Sequence, residues 1–258
     1  MNRLAIACFI ALGCAAPARA VTERDLAAVS VNPPADAQLP LSLAVEDLAG
    51  RRTTLSDAAD GRPIVFVFAD YRCRYLCGPA ISLTADALTH TKLAPDRDYR
   101  LLVLGIDARD GAKDAADFGA ARLSAYPEIR RATRLLISSA PNITAAAQAL
   151  GFHYRYDPEH DQFAHRAAAF VLTPDGRLVA ALSEIALQPE TLNAALERAR
   201  NGGVATFIQQ LSGLCHAFDP ARGVYDRPVQ TALRLGSLGL LATGAGAVLW
   251  RNRRRRAS

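Results

Sequence analysis

The stretch IVFVFADYRCRYLCGP, residues 64–79, decides the fold class of this chain. Its first six residues are apolar, β-branched or aromatic, which predicts a buried central strand over Ile64–Ala69. Cys73 and Cys77 follow with three residues between them, and a Gly-Pro pair then opens an alanine- and leucine-rich segment that predicts a helix. Both cysteines are therefore expected at a strand-to-helix turn.

A turn of this kind favours reactive thiols. The first N–H groups of a helix carry partial positive charge, and Arg72 and Arg74 add cationic neighbours, so the thiolate form is stabilised. Two close thiolates make either a redox pair or a clamp for a soft metal, and the spacing does not decide between them. A structural disulfide of a secreted protein is the third interpretation.

Outward from this stretch, strand-like and helix-like segments alternate over residues 41–200, which predicts one α/β domain. The expected order is a hairpin at 41–45 and 52–55, strand 64–69, helix 79–93, strand 99–106, helix 111–125, strand 133–138, helix 143–150, strands 167–172 and 177–182, and helix 189–200. Residues 151–162 are expected to form a polar loop. A hairpin, a βαβ unit and a final ββα unit predict a thioredoxin-like sheet flanked by helices.

The two ends of the chain have their own signatures. Residues 1–20 have the charged start, apolar run and small-x-small ending of a secretory signal peptide, with lipidation at Cys14 as the alternative. An N-terminal arm is expected at 21–40 and a connector at 201–229. Residues 230–250 are expected to form one C-terminal transmembrane helix, or else an amphipathic helix packed on the domain, and 251–258 a cytoplasmic basic tail.

The basic character of the chain comes from these ends. The net charge is +5, and two arginines lie in the signal segment and five in the tail, so residues 21–250 carry about −2. This distribution predicts no nucleic-acid partner. It indicates instead a bacterial inner-membrane protein whose domain faces the periplasm, because positive residues stay on the cytoplasmic side.

Three motifs resemble the Sco/SenC family of copper-assembly proteins. FADYRCRYLCGP is similar to the family's cysteine motif, LGIDARDGAKD to its Asp-containing strand end, and FAHRAAAFVLTPDGRL to its histidine and PDG element. The resemblance covers about residues 39–200. Asp70 stands where the family's motif has its second aromatic residue.

The resemblance implies a copper site formed by Cys73, Cys77 and His165, with copper carried as Cu(I), Cu(II) or both. Two thiolates and an imidazole suit copper, although the same donors also bind zinc. The implied partner is cytochrome c oxidase subunit II or a similar copper-site protein, served by a membrane-tethered chaperone that either has no catalytic turnover or also acts as a thiol reductase on this partner. Asp107 and Asp110 are expected to shape the site or to cap its loop.

Other interpretations of the same residues stay open. Cys73 and Cys77 could be the catalytic pair of a periplasmic thiol-disulfide oxidoreductase without a metal, or a fixed disulfide in an anchored interaction domain. His153 or His160 could assist copper handover, or be ordinary loop histidines. Cys215 remains without an assigned partner.

Overall fold

The computed structural model describes residues 29–73, 79–158 and 161–203, and two short strands at 218–219 and 224–225. The strands are β1 Ala44–Glu46, β2 Arg52–Thr54, β3 Ile64–Ala69, β4 Arg100–Gly105, β5 Thr133–Leu136, β6 Tyr154–Asp157, β7 Gln162–His165, β8 Ala168–Leu172, β9 Leu178–Ser183, β10 Phe218–Asp219 and β11 Val224–Tyr225. The helices are α1 Leu55–Ala59, α2 Pro79–Thr89, α3 Ala112–Arg122, α4 Pro127–Ala132, α5 Ala140–Ala149 and α6 Pro189–Arg200.

A five-stranded mixed sheet in the order β5-β4-β3-β8-β9 forms the centre of the domain. The strand β3 pairs in parallel with β4, and Ala69 lies opposite Gly105 at the carboxyl end of both strands. On its other side β3 pairs antiparallel with β8, and Val67 lies opposite Ala169. The segment after β3, the segment after β4 and the segment before β8 therefore meet at one edge of the sheet.

Both faces of this sheet are buried. In β3, Val65 and Val67 point into the core that contains α2, α3, α4 and α6. Phe66 and Phe68 point into the opposite core, against α1, α5 and the β1–β2 hairpin. A strand covered on both sides has no polar face, which is why its sequence is apolar at every position.

The expected strands and helices are confirmed with end shifts of a few residues, and the mixed sheet with flanking helices is consistent with the thioredoxin-like prediction. Two short helices, α1 and α4, were not predicted. The prediction of a polar loop over residues 151–162 is wrong, because β6 and β7 form an antiparallel hairpin there. This two-stranded sheet is separate from the central sheet.

The expected signal peptide, lipidated cysteine, transmembrane helix and basic tail lie outside the described residues. Within the residues described, no helix has the length and apolar composition needed to cross a membrane.

Candidate metal centre

Cys73 lies just beyond the end of β3 and is only 7% exposed to solvent. Its backbone N–H donates to the carbonyl oxygen of Asp70 over 3.3 Å, which closes a tight turn. Cys73 is disulfide-bonded. Cys77, Arg74 and the sulfur bonded to Cys73 all lie outside the described residues.

Asp70 joins the cysteine turn to the strand that carries the histidine. Its Oδ1 accepts the backbone N–H of Arg72 over 3.1 Å, and its Oδ2 accepts the backbone N–H of Phe163 in β7 over 2.9 Å. The residue is 2% exposed. Since each carboxylate oxygen holds a different chain segment, Asp70 fixes the distance between the two segments.

His165 ends β7 with one ring nitrogen occupied and the other free. Its Nδ1 lies 3.0 Å from the carbonyl oxygen of Arg166. Because a carbonyl only accepts, Nδ1 carries the proton and Nε2 carries the lone pair. Nε2 is shielded from solvent and has no hydrogen-bond partner among the described residues.

The electrostatics of His165 favour a neutral ring. Burial lowers the pKa of His165 from its usual value, and the hydrogen bond with the Arg166 backbone and the Asp70 carboxylate oppose this only in part. A neutral imidazole with a shielded and unpartnered lone pair is costly unless a ligand uses that lone pair. The donor atom therefore fits a metal ion.

The structure brings Cys73 to the same hairpin as His165. The Cys73 sulfur lies 3.7 Å from Oε1 of Gln162, the first residue of β7. His165 is three residues further along this strand, about 10 Å by backbone rise. No three His, Cys, Asp or Glu side chains in the described part of the chain form a group that could hold a metal, and Cys77 is outside it.

A row of alternating charges runs beside the site. Arg72 pairs with the buried Asp107, Asp107 pairs with Arg109 over 2.7 Å, and Arg109 pairs with Asp161 over 2.9 Å. Arg109 also lies over the ring of Tyr156, 5.2 Å from its centre. The row links the cysteine turn to the tip of the β6–β7 hairpin.

Asp107 has one of the two roles expected for it, that of a loop cap. It caps its own loop by accepting the backbone N–H of Arg109 over 2.9 Å, and it also binds the Arg72 side chain. Its pKa is lowered to about 2: burial acts in the opposite direction, and the hydrogen bonds from Arg109 and Arg72 outweigh it. Arg72 is therefore engaged by carboxylates and is not a free cation for the Cys73 sulfur.

Sequence reasoning missed the connecting roles of Asp70, Gln162 and Arg109. The one available signal was Asp70, a charged residue directly after a buried strand and at an aromatic position of the resembled motif. His153 is exposed, while His160 and Cys215 lie outside the described residues.

No family model and no curated protein matches the chain. Solved structures do match. A protein from Aquifex aeolicus VF5, to which electron transfer has been ascribed, is 16% identical with a TM-score of 0.57, over 65% of this chain and 95% of that one. BsSco, a member of the Sco family of cytochrome c oxidase assembly proteins, is 18% identical with a TM-score of 0.52, over 66% and 96%. ScoI of Arabidopsis thaliana with copper bound is 15% identical with a TM-score of 0.50, over 62% and 96%.

The chain has the fold of the Sco/SenC proteins. The resemblance found in three sequence motifs is thus confirmed at the level of the fold. The matches cover nearly the whole length of the solved chains.

Proposed function

We propose that the chain is a Sco/SenC protein that binds copper through Cys73, Cys77 and His165. Copper is its cargo, passed on to the copper site of a cytochrome c oxidase, with subunit II as the acceptor. The fold supports this proposal, since the matched structures include one with copper bound and one from a family of cytochrome c oxidase assembly proteins.

The observation that carries the proposal is the Nε2 of His165, which has no hydrogen-bond partner among the described residues. A buried ring nitrogen in a folded protein usually has such a partner, whereas this one is shielded from solvent and no described residue uses its lone pair. The Cys73 sulfur, which lies 3.7 Å from Oε1 of Gln162 at the start of the same strand, is a soft donor. Sulfur and imidazole together select copper or zinc over hard cations.

Cys77 is the proposed partner of Cys73 in the disulfide. Only three residues separate them in the sequence, a spacing that allows the two α-carbons to come within the range that a disulfide needs. Reduction of this bond would free both sulfurs for copper. The same chemistry supports a second candidate function, a thiol-disulfide oxidoreductase without a metal, which the disulfide-bonded state of Cys73 favours.

We place the domain outside the cytoplasm, tethered to the inner membrane by residues 230–250. The support comes from the sequence: an apolar run followed by five arginines, and a secretory signal at the start. A disulfide-bonded Cys73 suits an oxidising compartment.

A Cu(I) titration of the reduced full-length chain in detergent tests the proposal. The wild type is expected to bind one Cu(I) per chain. Both Cys73→Ala and His165→Ala are expected to lower the affinity by at least about a hundredfold, since each removes one of three ligands. His153→Ala is the matched control, because His153 is exposed and lies just before the same hairpin.

Equal Cu(I) affinity in the wild type and His165→Ala would contradict a role for the imidazole. If His165→Ala also kept full disulfide reductase activity, the oxidoreductase without a metal would be the correct function.

A further inference from the structure

Asp70 is a buried carboxylate without a neutralising side chain among the described residues. Its two oxygens accept backbone N–H groups from Arg72 and Phe163, and no Lys or Arg side chain of the described residues pairs with it. The guanidinium of Arg72 is directed away, towards Asp107 and Asp110. Among the described residues, the negative charge of Asp70 is therefore held by backbone N–H dipoles and is not neutralised by a cationic side chain.

This charge lies between the proposed ligands. Asp70 is three residues before Cys73 and bonds the backbone two residues before His165. A metal ion held by Cys73 and His165 would feel the field of this charge through a medium of low polarity, where a fixed charge acts strongly.

We propose that Asp70 is a positioning residue that ties the cysteine turn to the histidine strand and makes the site prefer divalent over monovalent metal ions. The inference rests on the proposed copper function and extends it to the oxidation state of the cargo. A fixed negative charge attracts a divalent ion twice as strongly as a monovalent ion at the same position. Two thiolates alone, as soft donors, favour Cu(I).

Affinities for four ions measure this preference on the reduced full-length chain in detergent. Cu(I) and Cu(II) are the ions of interest. Ag(I) and Zn(II) repeat the comparison with one monovalent and one divalent ion that do not oxidise thiols. The quantity compared between variants is the ratio of divalent to monovalent affinity.

The test variant is Asp70→Asn, which removes the charge and keeps the size and one acceptor oxygen. We expect the ratio to fall on the order of tenfold for both ion pairs. The copper potential of the bound protein should rise accordingly, because Cu(II) loses more than Cu(I). If Asp70 only held the site in shape, Asp70→Asn would weaken the binding of monovalent and divalent ions by the same factor.

Asp98→Asn is the matched control. Asp98 also accepts a backbone N–H, from Ala94 over 2.8 Å, and its side chain is 10% exposed. It precedes β4, at the end of the sheet opposite the site. The ratio should stay within about twofold of the wild type, because the distance weakens the effect of the same charge change.

Asp70→Glu separates charge from shape and keeps the test decisive if Asp70→Asn does not fold. It retains the charge on a longer side chain, so the ratio should stay within about threefold of the wild type. A tenfold fall in Asp70→Glu would overturn the proposal, as would equal losses for monovalent and divalent ions in Asp70→Asn.

Failure of the proposed function looks different from failure of this inference. A wild type that binds none of the four ions overturns both. Copper binding that is lost in Cys73→Ala and His165→Ala, with an unchanged ratio in Asp70→Asn, overturns only the role of Asp70.

Discussion

At the scale of single residues, Asp110 stands out because its side chain is wholly shielded from solvent. Neither of its oxygens has a hydrogen-bond partner in the described part of the chain, although Nε of Arg72 lies 3.1 Å away. Burial raises its pKa to about 7, and the charges of Asp107 and Asp70 add to this, while Arg72 opposes it. The folded chain thus prefers Asp110 in its neutral form at pH values where an unfolded chain would ionise it.

Asp110 should make the domain less stable as the pH rises from 5 to 8. Its pKa is about 7 in the folded state and 3.8 in the unfolded reference, so the folded state binds more protons between these values. The contribution of Asp110 to the free energy of unfolding is complete below its unfolded-state pKa and is lost as the pH rises past its folded-state pKa. Between pH 5 and 8, the free energy of unfolding of Asp110→Asn should therefore fall by about 2 kcal/mol less than that of the wild type.

Denaturant unfolding of the wild type and Asp110→Asn at pH 5, 6, 7 and 8, followed by circular dichroism, measures this difference in free energy of unfolding. Asp107 does not interfere, because its pKa of about 2 keeps it charged throughout this range. Tyr71 also faces Asp110, but burial raises the pKa of Tyr71 far above this range, so it stays neutral throughout. The charge of Asp114 raises the pKa of Asp110 further, and this contribution is part of the effect that Asp110→Asn removes. Parallel pH profiles for the two chains would contradict the prediction.

At the scale of elements, the central strands were predictable and the β6–β7 hairpin was not. Strands β3 and β4 are apolar at nearly every position because both of their faces are buried, and such runs are recognised without structural knowledge. The hairpin buries only one face, through Tyr154 and Phe163. Most of its other residues are polar, so the alternation is short and easily mistaken for a loop.

The site was predictable in the same uneven way. Residue type and motif order point to Cys73 and His165 as candidate ligands through the family resemblance, because thiolate and imidazole are donors that copper and zinc prefer. The groups that connect them do not follow from the sequence, because Asp70 acts by bonding a backbone N–H that is far away in the chain. Contacts of this kind depend on the register of two separate segments.

Gly151, at the base of the hairpin, is a position where only glycine fits. Its φ is +59°, and a Cβ there would overlap the backbone carbonyl of Asn32. The N-terminal arm docks here: Asn32 N–H donates to the Gly151 carbonyl and His153 N–H to the Ser30 carbonyl, both over 2.8 Å. The glycine therefore allows the arm to lie directly against the hairpin.

Gly151→Ala should lower the free energy of unfolding by about 3 kcal/mol, through the strained φ and the displaced arm together. Gly61→Ala is the matched control, because its φ is +67° and no atom lies within 4 Å of the added Cβ. The control should cost only about 1 kcal/mol, the strain alone. Thermal unfolding of both variants gives the two values, and equal losses would show that the close approach of the arm is unimportant.

At the scale of the whole molecule, the sheet topology explains why residues distant in the chain share one site. Because β3 and β4 are parallel, the cysteine turn and the Asp107 loop leave the sheet at the same edge. Because β8 is antiparallel to β3, the chain enters β8 at this same edge, at Ala168, shortly after His165. Ligands of open α/β sheets bind at such an edge, so the proposed metal site agrees with the general rule for the fold class.

The arginine-rich tail, residues 251–258, predicts how the whole chain is oriented in the membrane. Five arginines follow the apolar run of residues 235–250, and such a cluster is held on the cytoplasmic side of a membrane. Alkaline phosphatase is active only after export, so a fusion after Ser258 should be inactive in the wild type. Replacing all five arginines with Gln should make it active in a large fraction of chains, because the retaining charge is gone. Replacing them with Lys keeps the charge and should leave the fusion inactive. An active fusion on the unaltered chain would contradict the proposed anchor and place residues 251–258 on the same side of the membrane as the domain.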